Sequence, residues 1–108
     1  MGERVSPREL RERLSGSRPP MVIDVRGPRE SAAGHIPGAV NLPLAKVPQA
    51  VKRTDPTTAL VTYRNMHHPG ASRGERAQAL LEVKGFQAAV LEGGLPAWTS
   101  EGLPVEAS

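Results

Sequence analysis

Cysteine is absent from all 108 residues. That absence excludes disulfides, thiolate-ligated metals and every reaction routed through a cysteine nucleophile. Aromatic residues are almost as scarce, with one Trp, one Tyr and one Phe. The basic residues, eleven arginines and three lysines, are mostly scattered along the chain. Nucleic-acid binding normally needs a concentrated basic face and often stacking aromatics, so the formal charge of +3 favours acidic partners over nucleic acid. Long apolar runs are missing too. Met21 to Ile23 and Ala88 to Leu91 fall far short of the roughly 20 residues that span a membrane as a helix, and no membrane association is expected. The opening MGERVSPREL is charged and lacks the apolar stretch of a secretory signal, which leads to the expectation of a cytoplasmic protein. The length suits one compact domain with one core, residues 1–108.

What is present reads as alternating helices and short strands. In VSPRELRERL, Ser6 is placed to cap a helix, Pro7 suits its first position, and Glu9 completes a capping box, with Val5 and Leu10 at staple positions. A helix from about Pro7 to Leu14 is expected, ended by Ser15-Gly16-Ser17 and Pro19-Pro20. Met21 to Val25 reads as a strand buried on both faces, Pro28 to Ala33 as one or two helical turns closed by Gly34, and Ala39 to Asn41 as a further short strand. Leu44 to Val51 is a weak helical stretch interrupted by Pro48. Thr58 to Tyr63 is the next strand. SRGERAQALLEVKGF carries Ala77, Leu80 and Leu81 on one helical face and stops at Gly85. Ala88 to Leu91 is another buried strand, Gly93-Gly94 a tight turn, and Pro96 to Ser100 a short helix carrying Trp98. Such alternation implies a mostly parallel sheet covered on both faces. Sites in these folds form at the carboxyl ends of the strands, which brings Asp24, Arg26 and the loop after Tyr63 to one rim.

That loop, in TYRNMHHPGASRGER, is rich in chemistry. Gly70-Ala71-Ser72-Arg73-Gly74 matches the Gly-x-Ser-x-Gly pattern of serine hydrolases. However, Ser72 and Glu75 have capping-box spacing at the start of a helix, and Ser72 lies nine residues past Tyr63 rather than directly at a strand-to-helix turn. The capping role is therefore preferred. Adjacent histidines such as His67 and His68 rarely point at one ion, so no metal or other cofactor is expected. Protonation of these histidines near pH 6 would make the loop more anion-seeking.

Three segments, taken in order, resemble the rhodanese-like domains. VIDVRGPRESAAGHIPGAVNLPL is similar to their first signature, with its Asp-x-Arg and Gly-His-Ile-Pro-Gly-Ala-x-Asn. LLEVKGFQAAVLEGGLPAWTSEGLPV is similar to their C-terminal signature, and LVTY with its following loop and helix sits where the family has its active-site loop. The likeness runs from about Val5 to Val105. It implies an α/β fold, a three-layer α/β/α arrangement with a mostly parallel five-stranded sheet. It also implies an activity, the transfer of sulfane sulfur from a donor such as thiosulfate through a persulfide on a loop cysteine, in an arrangement like Cys-x-x-Gly-x-Arg. The matching position here is Arg64, and the loop from Arg64 to Ser72 is longer because of the insert around MHHPGA.

Arginine can neither attack sulfur nor carry it, and the hydroxyls of Thr62 and Ser72 form no comparable sulfur carrier. What remains is a cradle. A loop of small residues leading into a helix N-terminus offers N–H donors to an anion, and arginines add charge. The candidate binding residues are Arg64, Asn65, His67, His68, Gly70, Ala71, Ser72, Arg73 and Arg76, with no catalytic residue among them. Asp24, Arg26 and His35 are read as structural: a buried charge-assisted pair at the rim, and the turn of the His-Ile-Pro-Gly-Ala motif. The expected function is a non-catalytic module binding a small inorganic anion (sulfate, phosphate or thiosulfate) or an acidic protein partner. Two alternatives stand beside it: a weak or unconventional sulfurtransferase, and metal binding through His67-His68.

Overall fold

A computed structural model of the chain describes residues 3–43, 46–50, 52, 57–64 and 73–107. Among these described residues ten elements follow one another: β1 (Glu3–Val5), α1 (Pro7–Leu14), β2 (Met21–Asp24), α2 (Pro28–Ala33), β3 (Val40–Asn41), α3 (Val47–Ala50), β4 (Leu60–Tyr63), α4 (Arg73–Val83), β5 (Ala88–Leu91) and α5 (Gly94–Ser100). The five strands form one sheet in the order β1-β5-β4-β2-β3. Every pairing is parallel, so the expected mostly parallel sheet is wholly so.

The strand side chains alternate between two apolar layers, as the period of two requires. Val5, Val22, Val61, Tyr63, Ala89 and Leu91 pack on one face with Leu10 of α1, Ile36 and Trp98 of α5. Ile23, Leu60 and Ala88 face the other way, onto Val47 of α3 and onto Ala77 and Leu81 of α4. The short, continuously apolar strands are explained by this double cover, because neither face meets water.

Local signals account for most element boundaries. The Ser6 hydroxyl accepts a hydrogen bond from the Glu9 N–H while the Glu9 carboxylate accepts one from the Ser6 N–H, so the capping box is present. The chain differs from its sequence reading at several places. Strand β1 went unread, because at three residues with only Val5 buried it offers no alternation to detect. The strands starting at Thr58 and Ala39 are shorter than expected and begin at Leu60 and Val40. The last helix begins earlier, at Gly94, directly from the left-handed Gly93. On α4, Leu80 is 39% exposed while Gln78 is buried. The helix turns Gln78 rather than Leu80 inward because the Gln78 Nε2 donates to the carbonyls of Glu3 (2.7 Å) and Ala88 (2.9 Å), tying β1 and β5 together.

Candidate functional site

The carboxyl ends of β2 and β4 lie side by side, with Asp24 in register with Tyr63. This pairing builds the rim from residues 39 positions apart. Asp24 is fully buried, and a buried carboxylate must have its lone pairs filled. The backbone N–H of Arg26 donates to Oδ1 at 2.9 Å, its Nε to Oδ1 at 2.9 Å and Oδ2 at 3.1 Å, and its Nη2 to Oδ2 at 2.7 Å. The Tyr63 hydroxyl donates to Oδ2 at 2.9 Å. The same hydroxyl accepts from the Ile36 N–H at 3.1 Å, and the Arg26 Nη2 also donates to the Gly34 carbonyl. The guanidinium carbon lies 5.6 Å from the centre of the Tyr63 ring, within cation–π range. Asn41, at the end of β3, completes the frame by donating to the carbonyls of Asp24 (3.1 Å) and Arg26 (2.9 Å).

Electrostatics follow from these contacts. Burial by itself would raise the Asp24 carboxyl, but the hydrogen bonds and charge of Arg26 and the Tyr63 hydroxyl outweigh it and hold Asp24 below the ordinary range. Burial would likewise lower Arg26, and the Asp24 carboxylate reverses that and raises it. Burial pushes the Tyr63 phenol well up, against the Ile36 N–H and with help from the Asp24 charge. At neutral pH the cluster is therefore an ionised pair bracketed by a neutral phenol. None of these three groups is poised to exchange protons near neutral pH.

His35 sits between the two loop residues that this cluster grips. Its Nδ1 is 2.8 Å from the Ser31 carbonyl, an acceptor only, so Nδ1 carries a proton. Its backbone exchanges two 2.8 Å hydrogen bonds with Glu106. Asp24 and Arg26 are thus paired, and the loop that carries His35 is drawn against them through the Gly34 carbonyl and the Ile36 N–H. Sequence reading missed Tyr63 as their hub. The available signal was a lone tyrosine ending a buried strand, since a buried phenol needs a polar partner.

Arg64 follows β4 directly and is half-buried. Its carbonyl accepts from the Leu95 N–H at 2.8 Å. Gly94, at φ 62°, faces this carbonyl so closely that a Cβ there would overlap the oxygen. The loop start is thereby pinned against the β5–α5 turn. Beside it, Arg26, Glu30, Ala33, Gly34 and Leu95 line an open depression of about 350 Å³. Arg73 opens α4, and Arg76 is exposed one turn in. Asn65, His67, His68, Gly70, Ala71 and Ser72, including the expected Ser72 cap, lie outside the described residues. No group of three or more His, Asp or Glu able to hold a metal occurs among the described residues, and no helix among them is long and apolar enough to cross a membrane.

Residues 6–101 match the family model of the rhodanese-like domain. The chain belongs to the rhodanese-like domain family. A protein of Allochromatium vinosum named sulfurtransferase is 30% identical over 108 residues, covering 99% of this chain and 97% of the relative. An HTH-type transcriptional regulator of Mycobacterium tuberculosis is 35% identical over 101 residues, which span 90% of this chain and 41% of the regulator. The crystal structure of a rhodanese-like domain protein from Staphylococcus aureus superposes with a TM-score of 0.81 at 28% identity, covering 98% of each chain. In this rhodanese-like domain, Arg64 stands where the family resemblance assigns the sulfur-carrying cysteine, and no other position supplies one.

Proposed function

We propose that this rhodanese-like domain recognises an anion without reacting with it. The occupant is a small inorganic anion (sulfate, phosphate or thiosulfate) or a carboxylate on an acidic protein partner, and the contact is made through residues 64–76. One observation carries this reading: the position immediately after β4 is held in place by the Leu95 N–H and by the closeness of Gly94, yet it bears an arginine in a chain without cysteine. Persulfide chemistry requires a thiolate that attacks the outer sulfur of the donor and keeps it. A guanidinium does neither, but with Arg73 and Arg76 it supplies charge to a site next to a helix N-terminus.

Calorimetric titration of the full chain with sulfate and with phosphate tests the proposal. Binding is expected, and Arg73→Ala should weaken it roughly ten- to hundredfold, the loss typical of one charge-assisted hydrogen bond. Unchanged affinity in that variant would remove the loop from the account. The name of the Allochromatium vinosum relative favours one second reading, sulfur transfer in which a partner contributes the thiol. Sustained formation of thiocyanate from thiosulfate and cyanide by the cysteine-free chain alone would overturn the first reading. Turnover only when a thiol protein is added would select the second.

A further inference from the structure

The residues after α5 cross the molecular surface to the rim. Gly102, at φ 72°, turns the chain. Leu103 then packs partly buried against the core layer, with its N–H 3.4 Å from the Trp98 carbonyl. The indole Nε1 of Trp98 donates to the Pro104 carbonyl at 2.7 Å. Val105 and Glu106 are exposed, so from Pro104 onward the segment is held by polar anchors rather than by buried apolar area. Such segments open locally at low cost while the core stays closed.

The far anchor is placed tellingly. Glu106 and His35 form an isolated antiparallel bridge, each donating its N–H to the other's carbonyl at 2.8 Å. On either side of His35 lie the two loop groups wired to the buried rim cluster. The Gly34 carbonyl accepts from Arg26, and the Ile36 N–H donates to Tyr63. The Gly34 end of this loop, together with Arg26, also lines the 350 Å³ depression beside Leu95 and Arg64.

We propose that Leu103–Glu106 is a detachable strap whose docking on His35 sets the position of the 34–36 loop, and through it the Arg26 guanidinium that lines the depression beside Leu95. A partner that draws this strap away loosens the rim, and an occupant of the rim holds the strap down, because coupling between two sites is reciprocal. The second half of that statement rests on the function proposed above; the first does not.

The test separates the two. Glu106→Pro removes the N–H that donates to His35 and leaves the core untouched, whereas Glu106→Ala keeps the backbone bridge and removes only the carboxylate. Amide hydrogen exchange of the 108-residue chain is read at Ile36 in each, with the Val61 and Leu91 amides as the check that the sheet is folded. Loss of the bridge is expected to speed exchange at Ile36 roughly tenfold in the proline variant, about one hydrogen bond's worth of protection, with no change in the alanine variant. The Arg26 Nε–H resonance should shift in the proline variant alone. Wild-type exchange at Ile36 and an unmoved Arg26 signal in a folded Glu106→Pro protein would overturn the strap. In wild-type protein titrated with inorganic sulfate, slower exchange at the Glu106 amide extends the coupling to the anion site. If sulfate fails to bind at all, the anion reading falls while the Ile36 result still decides the strap.

Discussion

Asp24 accepts from Arg26 and Tyr63 in a space that excludes water, and the behaviour of the rim under acid turns on this one carboxylate. Its proton affinity is lower in the folded protein than the ordinary value of 3.8. As pH falls through about 4, the unfolded chain therefore takes up a proton first, and folding loses the contribution of this group. Stability measured by urea unfolding is expected to be level from pH 7 to about 5 as far as this group is concerned, then to decline below about 4. Asp24→Asn should cost about 3–5 kcal/mol at pH 7, since it leaves the Arg26 charge buried without its counter-charge. The acid decline of that variant should be correspondingly shallower. An identical acid limb in the two proteins would show that other carboxylates govern it. The Asp-x-Arg spacing made this pair legible in advance, because a carboxylate and a guanidinium two residues apart at a strand end can meet without help. Tyr63 was not legible as their partner, because its role depends on β2 and β4 lying in register across 39 residues of chain.

Among the elements, the edge strand β1 and the β5–α5 turn are where small changes have large effects. Gln78 places one amide nitrogen on two carbonyls, that of Glu3 at the edge strand and the buried one of Ala88. Gln78→Ala is expected to cost about 1–3 kcal/mol, the range for leaving a buried acceptor unpaired, and to release β1 first. Amide exchange at Glu92, whose N–H donates to the Val5 carbonyl at 2.8 Å, reads that release directly. Gly94 takes a positive φ and abuts the Arg64 carbonyl. Gly94→Ala should therefore lower stability by about 1–3 kcal/mol, the cost of a strained backbone position, and should weaken sulfate binding at the same time. Loss of stability with unaltered sulfate affinity would mean that the start of the loop need not be pinned. Turns and caps were readable here because they are local: Ser6 with Glu9, Gly34 after α2, and the Gly93-Gly94 pair. Helix α4 was placed correctly but faced wrongly at one position. Hydrophobicity alone put Leu80 inward, whereas the need to satisfy two carbonyls from distant strands buried Gln78.

At the scale of the whole molecule, two apolar layers clamp one thin parallel sheet, and Trp98, 1% exposed, is the largest side chain in either. Trp98→Ala is expected to cost about 3–5 kcal/mol through lost burial and the cavity left behind. It also removes the indole anchor of the Pro104 carbonyl, so exchange at Glu106 should rise even under conditions where the sheet remains protected. If Glu106 and the sheet amides lose protection to the same extent, the strap has no independence from the core. By itself the sequence determined the α/β class, the family signatures, the order of all but one strand and the exclusion of thiol chemistry, because these depend on composition, local periodicity and short-range caps. Only the tertiary structure decided which polar groups meet: Tyr63 with Asp24 and Ile36, Gln78 with Glu3 and Ala88, Leu95 with Arg64, and Glu106 with His35. Each of these contacts joins groups whose separation along the chain carries no pattern, and for those inside the fold burial selects them, because a polar atom removed from water must find whatever partner the packed elements bring to it.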